Sequence, residues 1–336
     1  MTTEPAIDEP TSVGTAPGGG GTITIPRTQG GRGTAVGRVR SALTSRTASL
    51  IAVLIGALWS IPTIGLFIQS FRTQDSQDTK GWWNVQDGTG QYTFDNYKTL
   101  TTGIGGDNSS SLLPFIVNSL AIVIPAAVIP LTVAALASYA LVWIDFPGRD
   151  WIFVFIFALQ VVPLQVAVVP VLKFVVGGWH LGGLTIFPST KLSGTLGAIW
   201  LAHACFALPL AVFLVHNFMS EIPRDLLEAS RIDGASHGQI FRQVMLPLLT
   251  PALAAFGIFQ FLWVWNDLFV GLVMSGGNPD ISPITVKIQA LIGSNSGAGT
   301  ELLPAAAFLA IIIPLVVFLS LQRFFVKGLL AGSVKG

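Results

Sequence analysis

Two groups of residues in this chain have types and spacings suited to chemistry or to mechanical work. The first is a set of polar side chains inside otherwise apolar runs: Asn118, Gln160, Gln165, Lys173, His203, Gln260, Asn266 and Asp267, with Trp263 and Trp265 beside the last two. Polar groups in such runs cost free energy unless they face a cavity or a partner, so they mark a candidate path for a polar solute. Buried Asn and Gln serve equally well as hydrogen-bonding glue between helices. The second group is the segment EASRIDGASHGQIFRQVMLPLL, residues 228–249, the most polar and most helix-coded part of the second half of the chain. Bond-making chemistry finds no support. There is no Ser-His-Asp arrangement, no HExxH and no paired cysteine, and the lone Cys205 lies in an apolar run, where a buried small hydrophobe is expected. His180, His216 and His237 lack metal-ligand spacing. The run GGGG at 18–21 is not a phosphate loop, because no Gly-Lys pair occurs in the sequence.

The frame around these residues is a membrane. Of 336 residues, 51% are hydrophobic and only 10% charged, whereas a soluble domain carries about 25% charged residues. Six apolar runs reach the length of about 20 residues that a bilayer requires, at roughly 49–71, 112–143, 151–177, 195–217, 248–274 and 302–322. The reading is therefore an all-α membrane protein of six transmembrane helices over 47–336. Prolines interrupt most runs (Pro125, Pro130, Pro163, Pro170, Pro209, Pro251, Pro304, Pro314), which suits a packed, cavity-containing bundle more than a simple anchor. Residues 1–46, rich in Gly, Thr and Pro, cannot bury enough surface to offset chain entropy and read as a disordered tail, not a signal peptide. The net charge of +1 points to no nucleic-acid partner.

Orientation follows from the cations. With the N-terminal tail inside, the inner side holds Arg27, Arg32, Arg38, Arg40 and Arg46, then Arg149, Arg224, Arg231 and Arg242, then Arg323, Lys327 and Lys335, twelve of the 18 Lys and Arg residues. Both termini are then cytoplasmic. The segment from Arg72 to about Ser111 is an external loop, with Trp82 and Trp83 as interface anchors or loop packing.

The same orientation places residues 220–247 in the cytoplasm. Ser220, Pro223 and Asp225 mark a helix start, and the helix runs through LLEASRI. Asp233-Gly234 is a break. Ser236 and Gln239 have the spacing of a capping box for a second helix, which carries Ile240, Phe241, Val244 and Met245 on one face before Leu246-Pro247 leads into the next run. Leu226, Leu227, Ala229 and Ile232 are too many apolar residues for a solvated loop. The segment is either a well-capped connector or a docking site that fits a groove on another subunit.

This stretch resembles the cytoplasmic loop of inner-membrane subunits of ATP-binding-cassette importers. That loop reads Glu-Ala-Ala, three residues, Gly, nine residues, then Ile-x-Leu-Pro. Here Glu228-Ala229-Ser230 is followed by three residues and Gly234, then by residues 235–243 and Val244-Met245-Leu246-Pro247. Only Ser230 and Val244 depart from the pattern. TFDNYKTL, ALASYAL, VVPLQVAVVPVLKF, WVWNDLFVGLVM and QRFFVKGLLAGSVKG are similar to the maltose-type, carbohydrate-uptake branch, so the likeness covers residues 92–336. Within it the chain resembles the second permease of a pair of the maltose and alpha-glucoside kind.

The resemblance implies a non-enzymatic permease subunit that carries a sugar such as maltose, trehalose or another oligosaccharide across the bacterial cytoplasmic membrane. It implies a second permease, an ATPase dimer that binds ATP and Mg, and an extracytoplasmic solute-binding protein as partners, with lipid around them. The 220–247 loop would be a coupling helix seated in a groove on the ATPase, with Glu228, Ala229, Ser230, Asp233, Gly234, Leu246 and Pro247 at the joint. The C-terminal GLLAGSVKG would be a short flexible tail that reaches the ATPase. The translocation path would use Asn118, Gln165, Gln260, Trp263, Asn266 and Asp267, an indole stacking on the sugar. An importer for a non-sugar solute shares the loop motif. A gradient-driven secondary transporter would need intramembrane carboxylates, and Asp267 is the single candidate.

Overall fold

The computed structural model describes residues 46–84, 91–103, 111–292 and 300–331; for Thr300 and residues 323–331 only the backbone is described. The expected tail, residues 1–46, lies outside them but for Arg46, which begins the first helix. The described residues divide into two units at Pro62/Thr63. Helix α1 (Arg46–Ser70) crosses their boundary. Its 46–62 part exposes Leu50, Leu54, Leu58 and Trp59.

The second unit is helical almost throughout. After α1 come α2 (Gln74–Thr79), α3 (Asp95–Thr102), α4 (Leu113–Trp143), α5 (Arg149–Leu159) and α6 (Leu164–Gly177). A short antiparallel hairpin follows, β1 (Trp179–Leu181) and β2 (Leu184–Phe187). Then come α7 (Leu196–Ser220), α8 (Arg224–Ile232), α9 (His237–Ile240), a π turn at Phe241–Met245, α10 (Leu246–Trp265), α11 (Phe269–Ser275), α12 (Ile284–Ile292) and α13 (Leu303–Ala331). Among the described residues, five helical stretches are long and apolar enough to cross a membrane: α1, α4, α7, the stretch His237–Trp265, and α13.

The expected third span is not one helix. It is α5 and α6, bent by 108° at Gln160–Pro163. Pro163 supplies no N–H and disfavours the helical region for the residue before it. The expected fifth span also differs, because α10 stops at Trp265 and α11 begins at Phe269. The all-α reading missed the hairpin, whose residues are all exposed, and the segment read as an external loop contains the short helices α2 and α3. The C-terminal segment read as flexible is helical as far as Ala331.

The centre of the second unit is the pairing of α4 with α7. Their contact faces are built from small residues: Ala126, Ala134, Ala135 and Ser138 on α4, and Ala198, Ala202, Ala207 and Ala211 on α7, all buried. Small side chains let two backbones approach closely, which drives helix association where no hydrophobic effect operates. The Ser138 hydroxyl donates to the Val212 carbonyl at 3.3 Å, and the Trp200 indole N–H donates to the Ala121 carbonyl at 2.9 Å. Two apolar clusters form along this pair. One gathers Leu100, Leu112, Phe115, Val264, Trp265 and Ile284. The other gathers Tyr139, Trp143, Val215, Leu227, Ile240 and Met245, so it reaches into the 221–247 loop. Cys205 is exposed on α7, contrary to the buried reading. In a membrane helix both the packed face and the outer face are apolar, so an apolar run does not tell them apart.

Opposite that loop, Arg72 is fully buried and closes the 71–97 segment. Its guanidinium donates to the carbonyls of Gly81 (2.8 Å), Asn84 (3.1 Å) and Lys80 (3.2 Å) and to the amide oxygens of Gln69 and Gln91. Trp82 packs on Gly65, where an added Cβ would meet the indole at 3.0 Å, while Trp83 is exposed.

Candidate functional site

The 221–247 loop has two faces. Ser220 is not an N-cap. It ends α7 and donates to the His216 carbonyl at 2.8 Å, and Pro223 occupies the N-cap of α8. Leu227, Ile240 and Met245 are buried and anchor the loop to the α4–α7 core. The Tyr139 hydroxyl adds a polar contact to His237 Nδ1 at 2.9 Å and packs edge-on against Phe241. The other face is bare. Glu228, Ala229, Asp233 and Gly234 are exposed, and Ile232 is 86% exposed.

Gly234 ends α8 by a specific geometry. The Ala235 N–H donates to the Ser230 carbonyl at 3.1 Å and the Gly234 N–H to the Arg231 carbonyl at 3.0 Å. This pair of bonds defines a Schellman cap, in which the glycine position takes a left-handed conformation; φ at Gly234 is +78°. The next helix starts with the capping box read from the sequence: the Gln239 N–H donates to Ser236 Oγ at 3.4 Å and the Ser236 N–H to Gln239 Oε1 at 2.8 Å. Replacing Ser236 by Ala removes one side of the box and is expected to cost about 1 kcal/mol locally. Hydrogen exchange at His237–Ile240 reads that loss directly.

The second loop helix does not stop before the next span. It continues through the π turn into α10, and the Leu246 N–H donates to the Phe241 carbonyl five residues back. Pro247 has no N–H for the residue 243 carbonyl, and its ring needs extra room there. The wider π turn supplies that room. The Ser230 hydroxyl is spent within α8, donating to the Leu226 carbonyl at 2.7 Å. The second loop helix and the span therefore form one continuous helical stretch, His237–Trp265, with Leu246 and Pro247 inside it and not at its end.

The candidate path residues fall into three sets. Asn118, Gln260 and Asn266 have local or interhelical partners. Asn118 donates to the Pro279 and Ser282 carbonyls at 3.2 Å, Gln260 to Ala126 at 3.4 Å, and Asn266 to Leu262 at 2.7 Å. Trp265 is buried and donates to Ala310 at 3.0 Å. Gln160, Gln165 and Lys173 are exposed on the bent pair.

His203, Trp263 and Asp267 come together. His203 Nε2 lies 3.8 Å from Asp267 Oδ2, and the His203 ring meets Trp263 edge-on at 5.9 Å. His203 is buried and its Nδ1 has no hydrogen-bond partner among the described residues. Asp267 also accepts the Gly271 N–H at 3.0 Å, and its carbonyl accepts the Thr285 hydroxyl at 2.7 Å, so it fixes the α10–α11 break. Residues 203 and 267 are too far apart in sequence for periodicity to pair them.

Residues 131–330 match the family described as the binding-protein-dependent transport system inner membrane component. The osmoprotective compounds uptake permease protein GgtD of Synechocystis sp. is 43% identical over 85% of this chain and 91% of its own length. The alpha-glucoside transport system permease protein AglG of Rhizobium meliloti is 44% identical over 73% of this chain and 61% of its own length. The trehalose transport system permease protein SugB of Mycobacterium tuberculosis is 34% identical over 73% of this chain and 82% of its own. In fold, the chain is similar to one in the crystal structure of a bacterial ABC transporter involved in the import of the acidic polysaccharide alginate, with a TM-score of 0.61, 20% identity and coverage of 84% of this chain and 98% of that one. With its apolar spanning helices, this chain belongs to the family of inner-membrane components of binding-protein-dependent transport systems and is a multi-pass transport subunit, not an enzyme.

Proposed function

We propose that this chain is one of two permease subunits of an ATP-driven importer for an oligosaccharide or related glycoside. A solute-binding protein delivers the cargo from outside. A separate ATPase, which binds ATP and Mg, docks on the exposed face of the 221–247 loop. The observation that carries this reading is the loop itself. It is anchored by Leu227, Ile240 and Met245 and leaves Leu226, Ile232 and the Glu228–Gly234 joint free. A plain connector needs no bare apolar face on a rigid, doubly capped lever. The transport systems named for relatives, alpha-glucoside and trehalose, support a sugar cargo.

In this reading six spans cross the bacterial cytoplasmic membrane, α5 and α6 together making the third, and both termini are cytoplasmic. Glu228 holds a cation or a helix N-terminus of the ATPase, and the exposed Ala229 lets the two backbones come close. Trp263 stacks on a sugar face beside the His203–Asp267 pair. Asn118, Gln260 and Asn266 act chiefly as glue, and Gln165 faces the second permease. Asp267→Asn keeps an oxygen for the Gly271 N–H and removes the charge. It is expected to lower uptake about tenfold while assembly stays intact, since a hydrogen bond to a charged group contributes about 1.5–3 kcal/mol.

The test is uptake by the complex in proteoliposomes, with labelled oligosaccharide competed by a panel of sugars. ATP-dependent uptake competed only by glucosides supports the proposal; competition only by non-sugar solutes refutes the cargo. Non-sugar osmolytes are added to the panel because the Synechocystis relative is named for uptake of osmoprotective compounds.

A further inference from the structure

Tyr139 lies near the end of α4, on the side that meets the 221–247 loop. Its side chain is buried, at 6% exposure. Packing alone asks for the ring, so the hydroxyl needs another reason. It has a neighbour from each helix of the loop. His237 Nδ1, in the first turn of α9, lies 2.9 Å from it. Arg231, in the last turn of α8, is close enough to act electrostatically on the same oxygen. The ring adds edge-on contacts to His237 and Phe241, with centroids 6.0 and 5.4 Å away.

Leu227, Ile240 and Met245 hold the loop down by apolar contact. Such contacts are non-directional, and a helix resting on them can roll or slide at little cost. A hydrogen bond is strict in distance and angle. The Tyr139–His237 contact therefore supplies a direction that the apolar anchors lack. Its other end is firm, because the adjacent Ser138 ties α4 to the Val212 carbonyl of α7. Helix α4 is unbroken over 31 residues, a length of about 46 Å. At its far end Ser119 Oγ accepts the Ile284 N–H at 2.8 Å, and Asn118 donates to the Pro279 and Ser282 carbonyls. One helix thus makes directed contacts with the loop at one end and with the 279–284 segment at the other.

We infer that Tyr139 is a positioning residue for transport: through His237 it sets the angle at which the loop presents its 228–234 joint, which rests on the reading above that a separate ATPase docks there. The bond holds in either protonation state of His237. The hydroxyl donates to a bare Nδ1 and accepts from a protonated one. A push on the joint then reaches α4 through a directed contact as well as through apolar packing that can slip.

The test uses the full complex in native membranes. Ile232→Cys, in a Cys205→Ser background, is coupled to a maleimide–succinimidyl ester with either a short or a long spacer. Adducts with lysines of neighbouring subunits are identified by mass spectrometry. Four further variants are compared with this parent: Tyr139→Phe, which keeps the ring and removes the hydroxyl; His237→Ala; both together; and His237→Asn, whose amide oxygen stands where Nδ1 stood. The long-spacer yield reports folding and docking, and the ratio of short to long yield reports the angle. Tyr139→Phe, His237→Ala and the double variant are each expected to lower that ratio by one common factor of about five, the population shift that follows loss of one ordinary hydrogen bond. The long-spacer yield stays at the parent's level, and His237→Asn keeps the parent's ratio. An unchanged ratio in Tyr139→Phe, losses that add in the double variant, or a long-spacer yield that falls with the short one overturns the inference. If the parent itself gives no adduct with a nucleotide-binding subunit, the docking reading fails there, before any variant is compared, and the positioning role falls with it.

Discussion

Gly234→Val is expected to abolish uptake while the chain still inserts and accumulates in the membrane. Nothing lies within 4 Å of a Cβ built at Gly234, so crowding is not the cause. The backbone is, because φ is +78°. A left-handed conformation costs an ordinary residue about 1–2 kcal/mol, and a β-branched one more. Relief of that strain breaks the Schellman bonds from Gly234 and Ala235 and swings α8 away from α9. The exposed joint then loses its angle, though its anchors at Leu227, Ile240 and Met245 are untouched. Gly234→Asn should keep most of the uptake, because Asn tolerates the left-handed region. Uptake measured in membranes with matched permease content decides the matter. If Val is tolerated as well as Asn, the angle of the joint does not matter to transport.

Arg72→Met should be the most destabilising single change in the 71–97 segment, by about 3 kcal/mol or more. The substitution removes the guanidinium that donates to the Lys80, Gly81 and Asn84 carbonyls, of which Gly81 keeps the Asn84 N–H at 3.0 Å, and a hydrogen bond from a charged group contributes about 1.5–3 kcal/mol. Lysine should not rescue it, since its point charge cannot reproduce a planar fork bonded to several oxygens at once. The expected readouts are a lower melting temperature in detergent and faster proteolysis between residues 72 and 97. A variant as stable as the parent would show that water replaces the guanidinium without loss.

The long apolar runs were legible because membrane helices must be apolar and about 20 residues long. Their interruptions were less so. Pro125, Pro130, Pro209, Pro251 and Pro314 all sit inside unbroken helices, whereas the chain turns by 108° just before Pro163. Proline weakens a helix, but neighbouring elements decide whether it breaks. At the second break the signal was present with another meaning. Asn266 and Asp267 bind nearby backbone groups, which is how such side chains compete with a helix.

The loop was the most legible part of the candidate site. Its glycine turn and its Ser236–Gln239 box depend on contacts a few residues apart. Its start was misplaced because a serine hydroxyl can either cap the next helix or donate back into the last one, and Ser220 does the second. Arg72 gave no signal, since its partners are mainly carbonyls that every residue carries. The His203–Asp267 contact likewise exists only once α7 and the α10–α11 break are packed together.

The central claim, that the 221–247 loop is the seat of a separate ATPase, is tested most directly by cross-linking. Ile232, 86% exposed beside the Gly234 joint, is replaced by cysteine in a Cys205→Ser background. A short bismaleimide is then applied to native membranes and the adduct identified by mass spectrometry. A single adduct is expected, with a subunit that carries a nucleotide-binding Gly-Lys loop. An adduct only with another membrane-spanning chain, or none while ATP-dependent uptake continues, would contradict it.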